Sequence, residues 1–553
     1  IYFGLGLKNK LSSIEVLWPN GALSKIERPE INKRHLLHQN DAAKGVVLDF
    51  PFVDEKKDLP YREVSAEYNI DYIHQEKNVQ DFFKQRLLPH KLSQNGPCLA
   101  VGDINGDGTE DFIVGSSSVY SPIVYLQNSQ NTFDSKNLFT AEEDKRYEVE
   151  SMTLFDADQD GDLDLYLVSG GNQFEAGSEL YNDRLLINDG YGNFVNDLKR
   201  IPNLNANGCV VRPIDYDSDG DIDLFIGGHN KPGAFPLADK SYLLNNNNGN
   251  FEDFTNTVLP DLDQFGLVTD AQWADLNKDG REDLILVGEY SPVAIFLNLN
   301  SGFQRLSSET LDEAMGLWRC IEVVDFDDDG DLDLLLGNLG KNNMLSVSPE
   351  TPLIISTRDL DKNGSIDPLM FNSQQNKNGE WDMFPVQFWD NLTQQSPLFR
   401  KEFNSYHAFS KANMNYYQEK EYLIKDSLLS AKHDTSKWLE NLGSNTFKLN
   451  TLPDPLQLGP INDFLVIETA EDQSVFVIGN DFGGPPFEGN FDAFQGTIIK
   501  NNTIGDKKVL EAQDSGFHVF GDAREISSIR MQNGKTLILV TQNQSRLLAF
   551  EKK

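Results

Sequence analysis

Short apolar runs recur along the chain: Phe112–Val114, Leu165–Val168, Leu224–Ile226, Leu284–Val287 and Leu334–Leu336, each with a glycine at or near its end. A polar, glycine-containing turn precedes each run, and a second apolar stretch precedes the turn (Cys98–Val101, Val210–Ile214, Ile321–Val324). Runs this short, bounded by Asn, Asp and Gly, read as strands joined by turns. Two fainter echoes, Ile467–Asn480 and Met531–Asn543, keep the rhythm of turn and strand without the acidic spelling. One region has another period. Phe403, Tyr406, Phe409 and then Tyr422, Ile424, Leu428 approximate helical spacing, with Gly443 as a stop, which predicts a helical insertion over about 397–442.

The turns share one spelling, Asp-x-Asp/Asn-x-Asp/Asn-Gly-x-x-Asp. Positions 1, 3, 5, 7 and 9 are Asp103, Asn105, Asp107, Thr109 and Asp111 in the first copy, and Asp156, Asp158, Asp160, Asp162 and Asp164 in the second. The third holds Asp215, Asp217, Asp219, Asp221 and Asp223; the fourth Asp275, Asn277, Asp279, Arg281 and Asp283. The fifth holds Asp325, Asp327, Asp329, Asp331 and Asp333; the sixth Asp359, Asp361, Asn363, Ser365 and Asp367. The first five copies start roughly 50–60 residues apart, which suits one four-stranded propeller blade plus loop growth, and only the last interval is short. The expected fold is an all-β, seven-bladed β-propeller. Eight blades is the alternative, since six full copies and two echoes sum to eight; the short interval favours seven. Residues 1–44 read as a small β-module, 45–97 as a connecting segment, and 98–553 as the propeller with its insertion in the sixth blade. The strand in Ser545–Lys552 is expected to pair with one from the connecting segment, closing the ring and removing an exposed edge.

Side chains at positions 1, 3 and 5 converge, Gly at position 6 permits a sharp turn, position 7 offers a backbone carbonyl, and the Asp at position 9 closes the shell. An all-oxygen set of this kind suits Ca²⁺, excludes Zn²⁺ and Cu²⁺, and suits Mg²⁺ poorly. The closing acid arrives too early for an EF-hand, and a strand follows instead of a helix. One copy alone would be an ordinary Asp/Gly turn; six with the same spacing predict about five to six Ca²⁺ ions in a structural role. The loop at Asp359 is expected to be the weakest, with Asn363 at position 5 and Pro368 directly after the closing Asp.

Net charge changes the picture further. At −38 over 553 residues, the chain lacks the cationic footprint that nucleic acids or anionic membranes require. The three cysteines, Cys98, Cys209 and Cys320, do not make a disulfide framework and read as buried thiols. No run reaches the ~18 apolar residues of a membrane helix. Ile1 is preceded by no leader and falls inside a pattern, so the chain reads as a mature or clipped piece of a longer protein.

The loops resemble the FG-GAP/VCBS repeats of calcium-binding β-propellers. Phe3–Gln39, with its FGLG start and the strand–WPNG–strand hairpin at Trp18–Gly21, resembles the ASPIC/UnbV module. The order of module and repeats, together with His74–Gly108, Gly288–Asn298, Gly316–Asn342 and Gly489–Gly496, resembles large surface proteins of Bacteroidota-type bacteria. The resemblance implies export and a place at the outer-membrane surface or beyond.

No HExxH, GxSxG, P-loop or dinucleotide fingerprint is present. The histidines, His35, His38, His74, His90, His229, His407, His433 and His518, are scattered. Candidate contact loops are Gly228–Pro236, Tyr290–Pro292, Trp318–Arg319 and Gly483–Gly496, with Glu488 and Asp492 as a further cation pair. The reading is a non-catalytic, calcium-stabilised binding or scaffold protein. Its partner would be a surface protein, an outer-membrane nutrient-uptake complex or a glycan. A propeller-based polysaccharide hydrolase or lyase, and a cation-dependent adhesin, are the alternatives.

Overall fold

The computed structural model describes residues 10–18, 22–43, 58–299, 301–376, 378–469, 472–502 and 507–553. The Phe3–Gly6 start, the Pro19–Gly21 turn and residues 44–57 of the connecting segment lie outside them. The chain divides into two units, Ile1–Asp58 and Leu59–Lys553. In the first, Ser13–Leu17 and Leu23–Glu27 form an antiparallel hairpin with Ile14 opposite Ile26. Trp18 ties its end: the backbone N–H donates to Ala22 O at 2.9 Å and the indole N–H to Ser24 Oγ at 2.9 Å.

The second unit is a β-propeller. Among the described residues, seven antiparallel sheets begin with the strands Leu99–Gly102, Val149–Phe155, Gly208–Ile214, Leu267–Ala274, Cys320–Val324, Ile461–Glu468 and Asp522–Arg530; each has four strands, and the fourth sheet gains Gly316–Leu317 as a fifth. Each first strand packs against the next, and the seventh returns to the first. The second strands Asp111–Val114, Asp164–Ser169, Asp223–Gly228, Asp283–Ser291 and Asp333–Gly337 are buried at every position. Sheets stack on both of their faces, so the sequence shows continuous apolar runs rather than alternation. The core therefore lies between sheets, as where Tyr166 and Val168 of the second meet Val211, Leu224 and Ile226 of the third.

The ring closes through the early chain. Tyr61–Glu63 is the outer strand of the seventh sheet, with Tyr61 opposite Lys552 and Glu63 opposite Phe550. Residues from Leu59 onward thus fall within the propeller unit. The two echoes Ile467–Asn480 and Met531–Asn543 fall at the first hairpins of the sixth and seventh sheets, the same place the acidic turns occupy elsewhere.

The insertion differs from its expected form. It begins after Gly337 and ends before Lys437, between the second and third strands of the fifth sheet. It carries its own four-stranded sheet, in the order Trp381–Pro385, Met370–Gln375, Leu353–Ser356, Leu428–Ala431. Its α-helices among the described residues are Trp389–Gln395, Pro397–Glu402, Tyr406–Phe409 and Met414–Glu419, followed by a single 3₁₀ turn at Lys425–Ser427. The expected helix beyond them is absent: Leu428–Ala431 pairs with Leu353–Ser356, and Lys437–Asn441 returns to the fifth sheet. Strand partners outweigh a helical spacing carried by only three residues. The short last interval has the same origin, because the sixth acidic turn belongs to the inserted sheet.

A recurring asparagine joins neighbouring sheets. On third strands, the side-chain amide of Asn188 donates to Ile104 O, that of Asn246 to Ala157 O, that of Asn298 to Tyr216 O and that of Asn441 to Leu276 O, at 2.8, 2.9, 2.8 and 3.1 Å. Each acceptor is position 2 of the preceding sheet's acidic turn. Asn246 also donates to Ile222 O of its own turn at 3.0 Å. Replacing Asn246 by Leu leaves buried carbonyls unpaired, at a cost of about 1–3 kcal/mol each. A urea melt of N246L is expected to show a lower midpoint than wild type at unchanged slope; an unchanged midpoint refutes the latch.

Candidate metal loops and ligand pocket

The turns at Asp103, Asp156, Asp215, Asp275 and Asp325 each join the first and second strands of a ring sheet, so these five lie at one end of the sheets, and the turn at Asp359 joins Leu353–Ser356 to Met370–Gln375 in the inserted sheet. The position-9 carboxylate is the anchor. Asp111, Asp164, Asp223, Asp283 and Asp333 are fully buried. Their Oδ1 atoms accept the third-strand N–H of Gln127, Asn188, Asn246, Asn298 and Asn441 at 2.7–2.9 Å. The other oxygen accepts the position-2 N–H in the turns at Asp103, Asp156, Asp215, Asp325 and Asp359. Position 1 shapes the hairpin: Asp103, Asp215, Asp275, Asp325 and Asp359 accept N–H groups from positions 5 and 6.

Positions 1, 3 and 9 converge. In Asp156/Asp158/Asp164, Asp215/Asp217/Asp223, Asp325/Asp327/Asp333 and Asp359/Asp361/Asp367, one oxygen from each residue lies within 4.8 Å of the others. The turns at Asp103 and Asp275 carry Asn105 and Asn277 at position 3. The donor set fits a hard cation, and a second observation supports it: Asp156 Oδ1, Asp158 Oδ1, Asp162 Oδ1, Asp283 Oδ2 and Asp327 Oδ1 are buried with no hydrogen-bond partner. Carboxylate oxygens in that state need a cation or a proton.

Some side chains at the predicted ligand positions are engaged elsewhere. Arg281 pairs with Asp279 at 2.5 Å, and Lys278 with Asp331 of the next sheet. Arg200 holds Asp158 Oδ2 at 3.0 Å, leaving Oδ1 toward the loop. In the inserted sheet, Gln395 Nε2 donates to Asp367 Oδ1 at 2.9 Å in place of a third-strand amide, and Ser396 Oγ donates to Asp361 at 2.5 Å. Glu488 and Asp492 are not among the three-residue acidic groups found in the described residues.

The opposite end of the sheets carries the connections from second to third strands. Three of the sequence-predicted contact loops, at 228–236, 290–292 and 483–496, are such connections, and Arg319 opens the fifth sheet at the same end. Trp318 is a correction: it is fully buried, donating to Ala314 O at 2.9 Å within the core between the fourth and fifth sheets. Two cavities lie at this end. One, of about 240 Å³, runs down the channel between first strands and touches Cys98, Cys209, Glu150, Arg212, Asp463 and Glu525. The other, of about 350 Å³, is walled by Tyr290, Met370, Leu345, Phe388, Phe487 and Phe491. The insertion supplies three of those six side chains. Both cavities share His90, Glu289, Arg319 and Asp481.

Those four residues form two ion pairs. His90 Nε2 lies 2.7 Å from Glu289 Oε1, and Arg319 Nη2 lies 2.8 Å from Asp481 Oδ2. Burial works against a charged His90, but Glu289 overrides it and lifts its pKa to about 9. Burial likewise opposes the Glu289 charge, yet His90, with Arg319, holds that carboxyl at about 2. Arg319 and Arg524 keep Asp481 well below the usual carboxylate range against the same burial. His90 was visible in the sequence only as one of eight scattered histidines, with no spacing to mark it.

Family models match two parts of the chain: an FG-GAP-like repeat at residues 103–167, 215–286 and 275–336, and an ASPIC and UnbV domain at residues 1–44. No curated protein matches. Among solved structures, the chain is similar to Saccharomyces cerevisiae Sqt1, with 8% identity, 87% of this chain and 98% of that one covered, and a TM-score of 0.37. It is also similar to YCF48 bound to D1 peptide (8% identity, 84% and 94% covered, TM-score 0.37). A third is an Agrocybe aegerita lectin that recognises non-reducing terminal N-acetylglucosamine (16% identity, 55% and 83% covered, TM-score 0.23).

The anchors set a pH dependence. Burial pushes Asp111, Asp164 and Asp283 up to about 6 and Asp223 and Asp333 up to about 7 in the metal-free fold, with neighbouring carboxylates adding to the rise. These values exceed the unfolded value of roughly 4, so the folded chain binds protons more readily, and its anchors cost stability above their folded pKa. In chelator, the melting temperature is expected to rise as pH falls from about 8 to about 5.5. With calcium the trend reverses, because protons compete for the same oxygens. Parallel melts in chelator and in calcium check both signs, and a chelated melt that drops over this window overturns the assignment.

Proposed function

We propose that this chain, which carries FG-GAP-like repeats and an ASPIC and UnbV domain, is a non-catalytic, calcium-stapled binding protein of the extracellular or outer-membrane surface. Calcium sits in the acidic turns at one end of the sheets, and a partner is held at the other end. The observation that carries this reading is the set of buried, unpartnered carboxylate oxygens in the turns, arranged with the spacing a flexible oxygen shell requires.

Metal there joins the turn to the strands on both sides of it, so binding energy becomes folding energy. The ligand atoms come from the protein's own loop, which gives the ion a structural task. Surroundings rich in calcium suit such loops, since extracellular modules commonly work at about 10⁻⁴–10⁻³ M. No helix among the described residues is long and apolar enough to cross a membrane. On this reading the chain meets its partner, a surface protein, a nutrient-uptake complex or a glycan, through the loops that join second to third strands.

Equilibrium dialysis is expected to count about five to six bound Ca²⁺ ions per chain. Chelation is expected to lower the melting temperature by roughly 10 °C or more, as the loss of several linked sites implies. An unchanged melt in excess chelator, or fewer than about three bound ions, refutes the calcium reading.

A further inference from the structure

The second cavity has features that a macromolecular contact surface does not need. It is enclosed by apolar walls, yet an ionised carboxylate stands at its inner end. Glu289 is 7% exposed. Its Oε1 is used by His90, while Oε2 has no partner. His229 Nε2, which lines the first cavity and not the second, lies 3.9 Å from that oxygen and has no partner either.

The protonation states follow from geometry. His90 Nδ1 lies 2.7 Å from Lys91 O and Nε2 lies 2.7 Å from Glu289, so both nitrogens face acceptors and donate. His90 is an imidazolium, and Glu289 is its carboxylate partner. His229 differs. Its Nδ1 lies 3.1 Å from Asn230 Oδ1, whose amide nitrogen donates to Lys231 O at 3.2 Å. His229 therefore carries its proton on Nδ1 and presents a lone pair at Nε2. Two acceptors, one of them charged, face each other with no donor between them.

A bound group must supply at least two N–H or O–H donors there and tolerate a neighbouring negative charge. A hydroxyl satisfies only one acceptor, and a carboxylate would be repelled. A primary ammonium satisfies both and neutralises the charge. The adjoining chamber suits the rest of such a ligand. Aromatic faces of Tyr290, Phe388, Phe487 and Phe491 line it, and the Phe388 and Phe487 rings lie 4.8 Å apart at its rim. Aromatic faces attract cations as well as apolar surface. Arg319 and His90 do not compete, since each is already committed to an acid. Glu488 adds a half-buried carboxyl at the rim, and a net charge of −38 draws cations toward the molecule.

We propose that this pocket is a binding site for a small organic ammonium ion with an apolar body, its nitrogen seated between Glu289 and His229 where the second cavity adjoins the first, and its body against the aromatic walls of the second. The site is separate from the calcium turns, so each is tested by its own readout.

Calorimetric titration of the calcium-loaded full chain with 2-phenylethylammonium, 2-phenylethanol and 3-phenylpropionate tests it. The ammonium is expected to bind at least about tenfold more tightly than the alcohol, the margin a charge-assisted hydrogen bond supplies, and the carboxylate not at all. Glu289→Gln is expected to abolish that preference for the ammonium. Because this residue is buried in an ion pair, the variant is melted first, and Phe487→Ala, at the exposed rim, is the second probe. F487A should keep the wild-type melt and weaken ammonium binding several-fold. Equal binding of alcohol and ammonium, no heat with any of the three, or wild-type affinity in F487A overturns the proposal.

Discussion

The position-9 aspartate holds this propeller together locally. It is the one acid of each turn that is fully buried, and it faces three chain segments at once. In the turn at Asp215, for example, Asp223 accepts Tyr216 N–H from the turn itself and Asn246 N–H from the third strand. That second residue then turns its side chain to Ala157 O of the preceding sheet. One carboxylate thus fixes the turn, sets the register of the third strand and aims the group that joins two sheets. Burial alone would neutralise such an acid, and the backbone N–H groups are what let it stay charged enough to serve a cation.

This arrangement divides the molecule by function. Anchored turns must be short and rigid, which leaves the other end of the sheets free to grow. The insertion enters there, between second and third strands, and brings its own acidic turn with it. The helix Trp389–Gln395 provides the amide that satisfies Asp367, where an ordinary sheet would use its third strand. The inserted sheet therefore repeats the local logic without a place in the ring, and contributes Met370, Leu345 and Phe388 to the pocket wall. Growth at the free end creates binding surface, while the anchored end carries the stability.

The sequence was most informative where one residue type repeats at fixed spacing. The six acidic turns placed the first hairpins, and continuous apolar runs marked strands buried on both faces. Position 2 of every turn is apolar (Ile104, Ala157, Tyr216, Leu276, Phe326, Leu360) and buried. That regularity was equally visible, but it makes sense only once a neighbouring sheet is known to cover it. The third-strand asparagines were hidden for another reason: their distance from the closing Asp varies, most of all at Asn441, which follows the whole insertion. The helical reading of 397–442 failed at its C-terminal half because three apolar residues at loose spacing fit a strand as well, and a partner strand was available. The His90–Glu289 pair joins positions 199 apart in sequence, so no local pattern could announce it.

The channel shows a second use of acids, unrelated to metal. First strands meet at the centre, where each would expose backbone N–H groups that no further strand can pair. Acids from the neighbouring sheet take them up. Asp270 Oδ2 accepts Ile321 N–H at 3.0 Å, Asp463 Oδ2 accepts Ile526 N–H at 2.8 Å, and Glu525 Oε2 accepts Leu99 N–H at 2.7 Å, the last across the ring closure. Ser151 does the same for Val211. Burial lifts Glu525 to about 7 and Asp463 well above the usual range, yet an acceptor oxygen remains in either protonation state, so the seams hold when the charge is lost. Arg212, donating to Asp270 at 2.6 Å and to Ala271 O at 2.7 Å, offsets one of these acids and spans the seam between the third and fourth sheets. Much of the chain's acidity at this end is thus spoken for by its own backbone. Glu289 differs in being held by a side chain, His90, while its second oxygen has no hydrogen-bond partner and lies 3.9 Å from His229 Nε2.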